Sequence, residues 1–242
     1  MSKEDLKYEV LKKDTKQFDL SFKLIILGNS GVGKSCLTLK AIKNTYDDFY
    51  TPTIGFEFLS FNVKINEHII KLQIWDTCGQ EAYRSIIRSF YRNSSLAIIV
   101  YAIDNKESFK ALQSWLNEIK TESNPDIDII LVGNKADLDD QREIENSVGK
   151  KFCEDNNLNL FMETSAKTGF NAENLFIRAA QILYQKHQLD LSVDFSKVPY
   201  IPERIKIVGN DIDSELDIDN ENKRKKKCGC LFWDKIYKCL YH

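Results

Sequence analysis

Residues 28–35, with the sequence GNSGVGKS, constrain the fold more than any other segment. They follow the apolar run 21–27 and lead into residues 34–43, whose pattern predicts a helix. Glycines let backbone N–H groups curl around phosphate oxygens, and the N-terminus of the next helix adds a favourable dipole. The segment therefore predicts a phosphate-binding loop between a strand and a helix. Lys34 would reach the phosphates and the Ser35 hydroxyl would ligate Mg²⁺. A glycine-rich turn that binds nothing is the alternative.

Beyond this loop, apolar segments alternate with amphipathic ones. The runs 58–65 and 69–75 flank the polar pair Asn66-Glu67 and predict a hairpin. Strands are then expected at 96–103, 127–132 and 160–163, and helices at 108–121, 143–156 and 172–187. This order predicts an α/β domain over residues 20–187, with a mostly parallel six-stranded sheet, one antiparallel edge strand and helices on both faces.

The regions that flank this domain differ from it in charge and composition. We interpret residues 1–19 as a charged N-terminal extension, 188–222 as a flexible acidic linker and 223–242 as a basic tail containing cysteines. The 34 Lys and Arg nearly balance the 36 Asp and Glu, which excludes a generally basic nucleic-acid binder. Since no apolar run reaches the ~18 residues of a membrane span and the start lacks a secretory signal, we expect an intracellular protein.

Polar residues at the ends of three more predicted strands indicate nucleotide chemistry. Asp76 ends a strand at the edge where parallel sheets bind ligands, and is a candidate anchor for Mg²⁺. In Asn134-Lys135-Ala136-Asp137, the last carboxylate can accept hydrogen bonds from N1–H and the exocyclic amine of guanine, a donor pair that adenine lacks. Ser165-Ala166-Lys167 follows another strand and would close over the base. Taken separately from the phosphate loop, Asp76 and the 134–137 segment also fit ordinary turns at the ends of strands.

These four signals, in this order, resemble the Ras-like small GTPases and, within them, the Rab family, over about residues 20–187. The Rab-like segments are 54–58 (IGFEF), 71–75 (KLQIW), 83–86 (YRSI) and 90–92 (FYR). Two positions depart from the family pattern. Cys78 stands where the family usually has Ala, and Ala102 replaces the usual Rab Asp.

The resemblance implies a site for GTP or GDP with Mg²⁺. In it, Thr53 contacts Mg²⁺ and the γ-phosphate, Tyr46 lies beside the guanine, the Gly79 amide contacts the γ-phosphate, and Gln80 positions the attacking water. Lys34 is the second catalytic residue, and Ser35, Thr53 and Asp76 are the metal ligands. The remaining nucleotide-binding residues are Asn29, Ser30, Gly31, Val32, Gly33, Cys36, Asn134, Lys135, Asp137, Ser165, Ala166 and Lys167.

The resemblance also implies partners. Phe58, Trp75 and Phe90, with Ile54, match the surface that Rab proteins present to effectors. Ordinary core packing explains the three aromatics equally well. We expect a monomer with an exchange factor, GTP-state effectors and a prenyl-binding dissociation inhibitor. Its slow hydrolysis would be raised about 10³–10⁵-fold by an activating protein.

Three cysteines near the end of the chain fit two lipidation patterns. Cys228-Gly229-Cys230 resembles a Rab ending but lies before the last residues, whereas Cys239 has the position of a CaaX box with Tyr241 and His242 off pattern. The basic run 223–227 and the aromatic segment after it predict a membrane anchor once at least one cysteine carries lipid. A tail that binds a protein partner is the alternative.

Taken together, the sequence predicts a membrane-tethered Rab-type GTPase switch in vesicle traffic. It would act on the cytoplasmic face of endomembranes and cycle with the cytosol. Two alternatives remain open. One is a GTP-binding scaffold that hardly hydrolyses because Cys78 disturbs switch II, and the other is a Ras-type signalling GTPase.

Overall fold

A seven-stranded sheet organises the domain, with helices packed on its two faces. The computed structural model describes residues 6–11, 17–47, 56–77 and 90–192, all within the unit Met1–Asp194. The strands are β1 Tyr8–Leu11, β2 Leu20–Leu27, β3 Phe56–Ile65, β4 His68–Thr77, β5 Leu96–Ala102, β6 Asp128–Asn134 and β7 Leu160–Glu163. The helices that lie wholly within the described residues are α1 Lys34–Lys43, α2 Lys106–Lys110, α3 Leu112–Glu122, α4 Asn146–Asp155 and α5 Ala172–Ser192, with a 3-10 turn at Asp139–Gln141.

The strand order is β1-β3-β4-β2-β5-β6-β7. Strand β2 runs parallel to β4 and β5, and the parallel pairing continues through β6 to β7. Only β3 among the described strands runs the other way, since it pairs antiparallel with both β1 and β4. The predicted α/β class, with a mostly parallel sheet and helices on both faces, is confirmed.

The predicted domain 20–187 contains the expected six strands, β2 to β7, and part of the N-terminal extension adds a seventh to the sheet. Strand β1 pairs with the outer edge of β3 from Tyr8↔Ile65 to Leu11↔Asn62. Along residues 62–65, the antiparallel strand β3 is therefore not the outermost strand of the sheet. Four residues are too few to show a reliable period of two, and the pairing partners lie far along the chain, so local pattern does not reveal this strand.

Alternation along the central strands divides the core into two layers. In β2, Leu24 and Ile26 face a cluster shared with α1 and α5, whereas Ile25 and Leu27 face one shared with α3 and α4. A parallel strand covered on both sides needs apolar residues at successive positions. This explains why residues 24–27 (LIIL), which are buried on both sides, are continuously apolar.

Three helix predictions need correction. Helix α4 begins at Asn146, three residues after the predicted start at 143. The predicted helix 108–121 consists of α2 and α3, separated at Ala111, and the Asn105 side chain caps α2 by accepting the Ser108 N–H at 2.8 Å. Helix α5 continues to Ser192, beyond the predicted end at 187. Leu191 in this extension is 68% exposed. Once a packed helix is nucleated, each added residue gains a hydrogen bond without needing a buried face, so apolar periodicity does not mark this end.

Several predictions fall on residues that the structure does not describe. These are the linker from residue 193 onward, the tail 223–242, and the segments 48–55 and 78–89. Among the described helices, none has the length and apolar character required to cross a membrane.

Candidate functional site

The loop at residues 28–33 joins β2 to α1 and needs glycine at two close approaches. A Cβ on Gly28, whose φ is 137°, would lie 2.2 Å from the Val100 carbonyl oxygen. A Cβ on Gly33, whose φ is 88°, would lie 2.5 Å from Asn134 Nδ2. Both positions combine a left-handed backbone with no room for a side chain. The loop therefore passes directly over the ends of β5 and β6, at the carboxyl edge of the sheet.

Lys34 begins α1 and is buried, with 6% of its surface exposed. Its ammonium group donates to the carbonyl oxygens of Gly28 at 2.8 Å and Asn29 at 2.9 Å. The positive charge is thus held across the loop, at the helix N-terminus where an anion is stabilised. Ser35, the next residue, is also buried.

A contact from outside the loop holds Asn29. The Trp115 indole N–H, from α3, donates to Asn29 Oδ1 at 2.9 Å, and Trp115 is almost completely buried. Sequence reasoning missed this residue, because a tryptophan on the apolar face of a helix looks like ordinary core. The phosphate loop is therefore held by α3, a helix that follows β5 in the chain and packs on one face of the sheet.

Asp76, near the end of β4, is completely buried, and neither carboxylate oxygen has a hydrogen-bond partner in the described part of the chain. Burial raises its pKa to about 6, while the nearby Ser35 hydroxyl and the Lys34 charge act in the opposite direction. Ser35 is thus near enough to favour the ionised form without making a hydrogen bond of ordinary geometry. A buried carboxylate beside a hydroxyl fits the oxygen ligands that Mg²⁺ prefers.

Asn134, the last residue of β6, joins three segments of the site. Its Nδ2 donates to the Val32 carbonyl oxygen at 2.8 Å, and its Oδ1 accepts the Thr164 hydroxyl at 3.1 Å. The phosphate loop, the end of β6 and the end of β7 are thereby fixed relative to each other. Asn134 is 1% exposed, so this amide stabilises the site from within.

The two segments predicted to bind the base lie side by side. Ser165 Oγ donates to Asp137 Oδ1 at 2.5 Å, and the Ala136 N–H donates to the Thr164 carbonyl at 2.9 Å. Lys135, at a φ of 65°, forms an ion pair with Asp104 at 3.2 Å. A carboxylate accepts several hydrogen bonds, so Asp137 keeps acceptor capacity for a ligand while Ser165 orients it.

The other predicted binding residues have varied surroundings. Ser30, Gly31, Tyr46 and Lys167 are exposed, whereas Val32 and Ala166 are buried. Cys36 is partly buried, and burial, followed by the nearby Asp76 charge, raises the pKa of its thiol. Thr53, Ile54, Cys78, Gly79, Gln80, Cys228, Cys230 and Cys239 lie outside the described residues. In the described ranges, no group of three or more His, Cys, Asp or Glu side chains could hold a metal.

The three predicted effector-surface aromatics form one cluster. The Trp75 ring lies 5.3 Å from Phe58 and 4.8 Å from Phe90, centroid to centroid. Phe56, which sequence reasoning missed, contacts Trp75 and Phe90 at 5.4 and 4.6 Å. The Lys23 ammonium lies 5.5 Å from the Trp75 ring. We call Phe56, Phe58, Trp75 and Phe90 the aromatic cluster.

A strand, a glycine loop and a helix with a buried lysine, at the carboxyl edge of a mostly parallel sheet, define a P-loop nucleotide-binding protein. A sequence model of the Ras family matches residues 23–185, more than half of the chain. The protein therefore belongs to the Ras family and is a small GTPase. Ras-family proteins bind GTP or GDP with Mg²⁺, hydrolyse GTP, and interact with exchange factors, activating proteins and effectors.

Proposed function

We propose that this Ras-family GTPase is a membrane-tethered switch of Rab type, which binds and slowly hydrolyses GTP to regulate vesicle traffic. The observation that carries the proposal is the aromatic cluster. Three of its members occupy positions at which the sequence resembles Rab proteins. Phe58 is 48% exposed and Phe56 is 39% exposed. Large apolar rings grouped at a surface are characteristic of a binding site rather than of core packing.

Ring contacts within the cluster favour binding. Trp75 touches three other aromatic rings, so its side chain loses little freedom when a partner covers it. Lys23 beside Trp75 supplies a polar margin. Phe56 and Phe58 belong to β3, and Trp75 belongs to the adjacent β4, so two paired strands hold the surface.

The same strands connect the cluster to the nucleotide. Thr53 lies shortly before β3, and Gly79 shortly after β4. In our proposal these two residues contact the γ-phosphate and order their segments while GTP is bound. Loss of the γ-phosphate releases those contacts and alters the surface next to the cluster. Nucleotide state would thereby control partner affinity.

Hydrolysis requires mainly positioning and charge neutralisation from the protein. Lys34 and the loop N–H groups would hold the phosphates, and Gln80 would orient the attacking water. Ser35, Asp76 and Thr53 would hold Mg²⁺, which neutralises phosphate charge when bound. We assign no arginine as an internal source of further charge, so intrinsic hydrolysis is slow and an activating protein supplies what is missing.

Membrane attachment in this proposal uses the tail. Lipid on at least one of Cys228, Cys230 and Cys239 would act together with the basic run 223–227, since a single lipid chain binds only marginally. The protein would then occupy the cytoplasmic face of endomembranes. A prenyl-binding dissociation inhibitor would return it to the cytosol. A chain that ends at Asn222 and still sediments with membranes would contradict this part of the proposal.

The decisive experiment compares partner capture by GTP-loaded and GDP-loaded protein. Immobilised full-length protein is exposed to a panel of purified Rab effector domains, and bound fractions are measured. We expect preferential capture in the GTP state and at least about tenfold weaker capture by Phe58→Ala. Phe170→Ala is the matched control, since Phe170 is 56% exposed and stands outside the cluster. Equal capture in the GTP and GDP states, or capture that Phe58→Ala leaves unchanged, would overturn the proposal.

Cys78 favours a second candidate, a GTP-binding scaffold with little hydrolysis. It stands beside Gly79 and Gln80, where a side chain larger than alanine would disturb the position of the attacking water. Single-turnover hydrolysis separates the two functions. If the scaffold is correct, Cys78→Ala raises the rate severalfold. If the switch is correct, the two rates are similar.

A further inference from the structure

We propose that the ion pair between Arg142 and Glu163 is a positioning element for the guanine site and sets how long the nucleotide stays bound. The two side chains would act from behind the segments 134–137 and 164–167, without touching the ligand. This inference rests on the nucleotide site of the Ras-family domain and is independent of the proposed trafficking role.

The geometry of the pair is that of a strong interaction. Arg142 Nη1 donates to Glu163 Oε1 at 2.8 Å, and Nη2 donates to Oε2 at 3.1 Å. The two side chains are only 14% and 13% exposed. Parallel charge-assisted hydrogen bonds of this kind fix orientation as well as distance, and water screens a largely buried pair less than a surface one.

Arg142 is also fixed on its other sides. Its Nη1 donates to the Ile144 carbonyl at 2.9 Å, and its Nε donates to Asp139 Oδ1 at 2.7 Å. The Asp139 side chain is 75% exposed, so this second ion pair is screened by solvent. The structure thus contains one buried and one exposed carboxylate on the same guanidinium, which provides an internal control.

The ion pair joins the two segments that would hold the base. Arg142 directly follows the 3-10 turn Asp139–Gln141, just beyond Asp137, and Glu163 directly precedes Thr164. The Glu163 carbonyl also accepts the Asn171 Nδ2 group at 2.9 Å, which ties the end of β7 to the start of α5. The Arg142–Glu163 contact would therefore oppose movement of one segment relative to the other.

A second connection lies at the ligand side of the same segments. Ser165 Oγ donates to Asp137 Oδ1 at 2.5 Å. The ion pair and this hydrogen bond therefore link the segment that contains Asp137 to the segment that contains Ser165 at two separate points. Recognition of two adjacent donors on guanine depends on such fixed geometry, because a displaced acceptor leaves a donor unsatisfied.

The test measures release of fluorescent GDP and fluorescent IDP from the full chain, with Mg²⁺ present. IDP keeps N1–H but lacks the exocyclic amine, so the ratio of the two release rates reports how well Asp137 is aligned. Arg142→Lys keeps the positive charge but removes the pair of parallel hydrogen bonds to Glu163. Glu163→Gln keeps the side-chain shape but removes the negative charge. We expect about tenfold faster GDP release in each variant, as for residues that support ligands at metal sites.

A purely structural role makes a different prediction. Loss of stability alone would accelerate GDP and IDP release by equal factors. Loss of positioning would accelerate GDP release more than IDP release, so the difference between the two release rates would become smaller. Asp139→Asn should leave both rates within about twofold of the wild type, because exposed ion pairs contribute little. Single-turnover hydrolysis of bound GTP should be unchanged, since the phosphate end is untouched.

Unchanged GDP release in Arg142→Lys and Glu163→Gln, or equal acceleration for both nucleotides, would overturn the proposal. If Glu163→Gln does not fold, Arg142→Lys alone decides, since it retains a cation beside Glu163. Failure of the trafficking proposal would appear in effector capture and membrane sedimentation instead, and neither of those enters this test.

Discussion

Asp76→Asn should stabilise the protein when nucleotide and Mg²⁺ are removed, and should destabilise it when both are present. Asp76 is completely buried, and its two carboxylate oxygens have no hydrogen-bond partner among the described residues. The folded domain therefore carries the cost of a poorly solvated charge, which a bound cation would offset. Asn has the same shape and no charge.

The magnitude follows from the pKa of Asp76, which burial raises from 3.8 to about 6. Because the folded state binds the proton more tightly than the unfolded state, stability falls as pH rises from about 4 to 6 and stays low above that range. At 1.36 kcal/mol per pKa unit, the cost at neutral pH is on the order of 3 kcal/mol. Roughly half of it is already present at pH 5.

The assay is urea unfolding of protein stripped of nucleotide by EDTA, at pH 5 and pH 7.5. Packing of the Asn amide contributes equally at both pH values, so it cancels in the comparison. We expect the stability difference between Asp76→Asn and wild type to shift by about 1.5 kcal/mol in favour of the variant at the higher pH. Glu67→Gln, whose parent side chain is 89% exposed, is the control and should show no such shift.

Two results would refute this reasoning. A stability difference that does not change between the two pH values would mean that Asp76 does not titrate near pH 6. In saturating GDP and Mg²⁺, the wild type should gain more stability than the variant, by linkage to metal binding. An equal gain would mean that Asp76 does not anchor the metal.

Three other changes test the loop and the sheet. Gly33→Ala places a Cβ 2.5 Å from Asn134 Nδ2 at a φ of 88°, and should lower nucleotide affinity at least about tenfold in a fluorescent-GDP titration. Trp115→Phe removes the donor to Asn29 Oδ1, and a loss of about 1 kcal/mol should appear as roughly fivefold faster GDP release. Val10→Asp on β1 should lower the free energy of unfolding by about 1–2 kcal/mol in urea. It should not affect GDP release, since β1 pairs with residues 62–65, at the opposite end of β3 from Phe56, and contributes no predicted nucleotide-binding residue.

The predicted elements agree best with the structure where a local pattern has one dominant cause. The helix after the glycine loop spans 34–43 as predicted, and β7 spans 160–163 as predicted. Strands buried on both faces are continuously apolar, and their ends are marked by turn residues. Strand β1 and the last turn of α5 were missed, because long-range pairing forms the first and helix propagation the second.

For the site, motif chemistry identified residues that the fold brings together, including Lys34, Asp76, Asp137 and Ser165. It identified Asn134, which links the phosphate loop to the ends of β6 and β7, but not Trp115, which holds the loop through Asn29. Trp115 and Asn29 are 86 positions apart, and each has an ordinary local explanation. For Phe58, Trp75 and Phe90, the sequence fitted core packing and an exposed binding surface equally well. Exposure of Phe58 favours a surface, which local sequence does not report.

The sequence alone determined the fold class and the strand, glycine loop and helix of the predicted phosphate site. Both depend on short-range properties, namely apolar periodicity and glycines where a side chain would clash. Only the tertiary structure decided that β1 extends the sheet, that Trp115 contacts Asn29 in the phosphate loop, and that Arg142 reaches Glu163 beside the segments predicted to bind guanine. Those contacts join residues whose distance in space is unrelated to their spacing in the chain. They depend on how the strands and helices pack, and no local pattern encodes that packing.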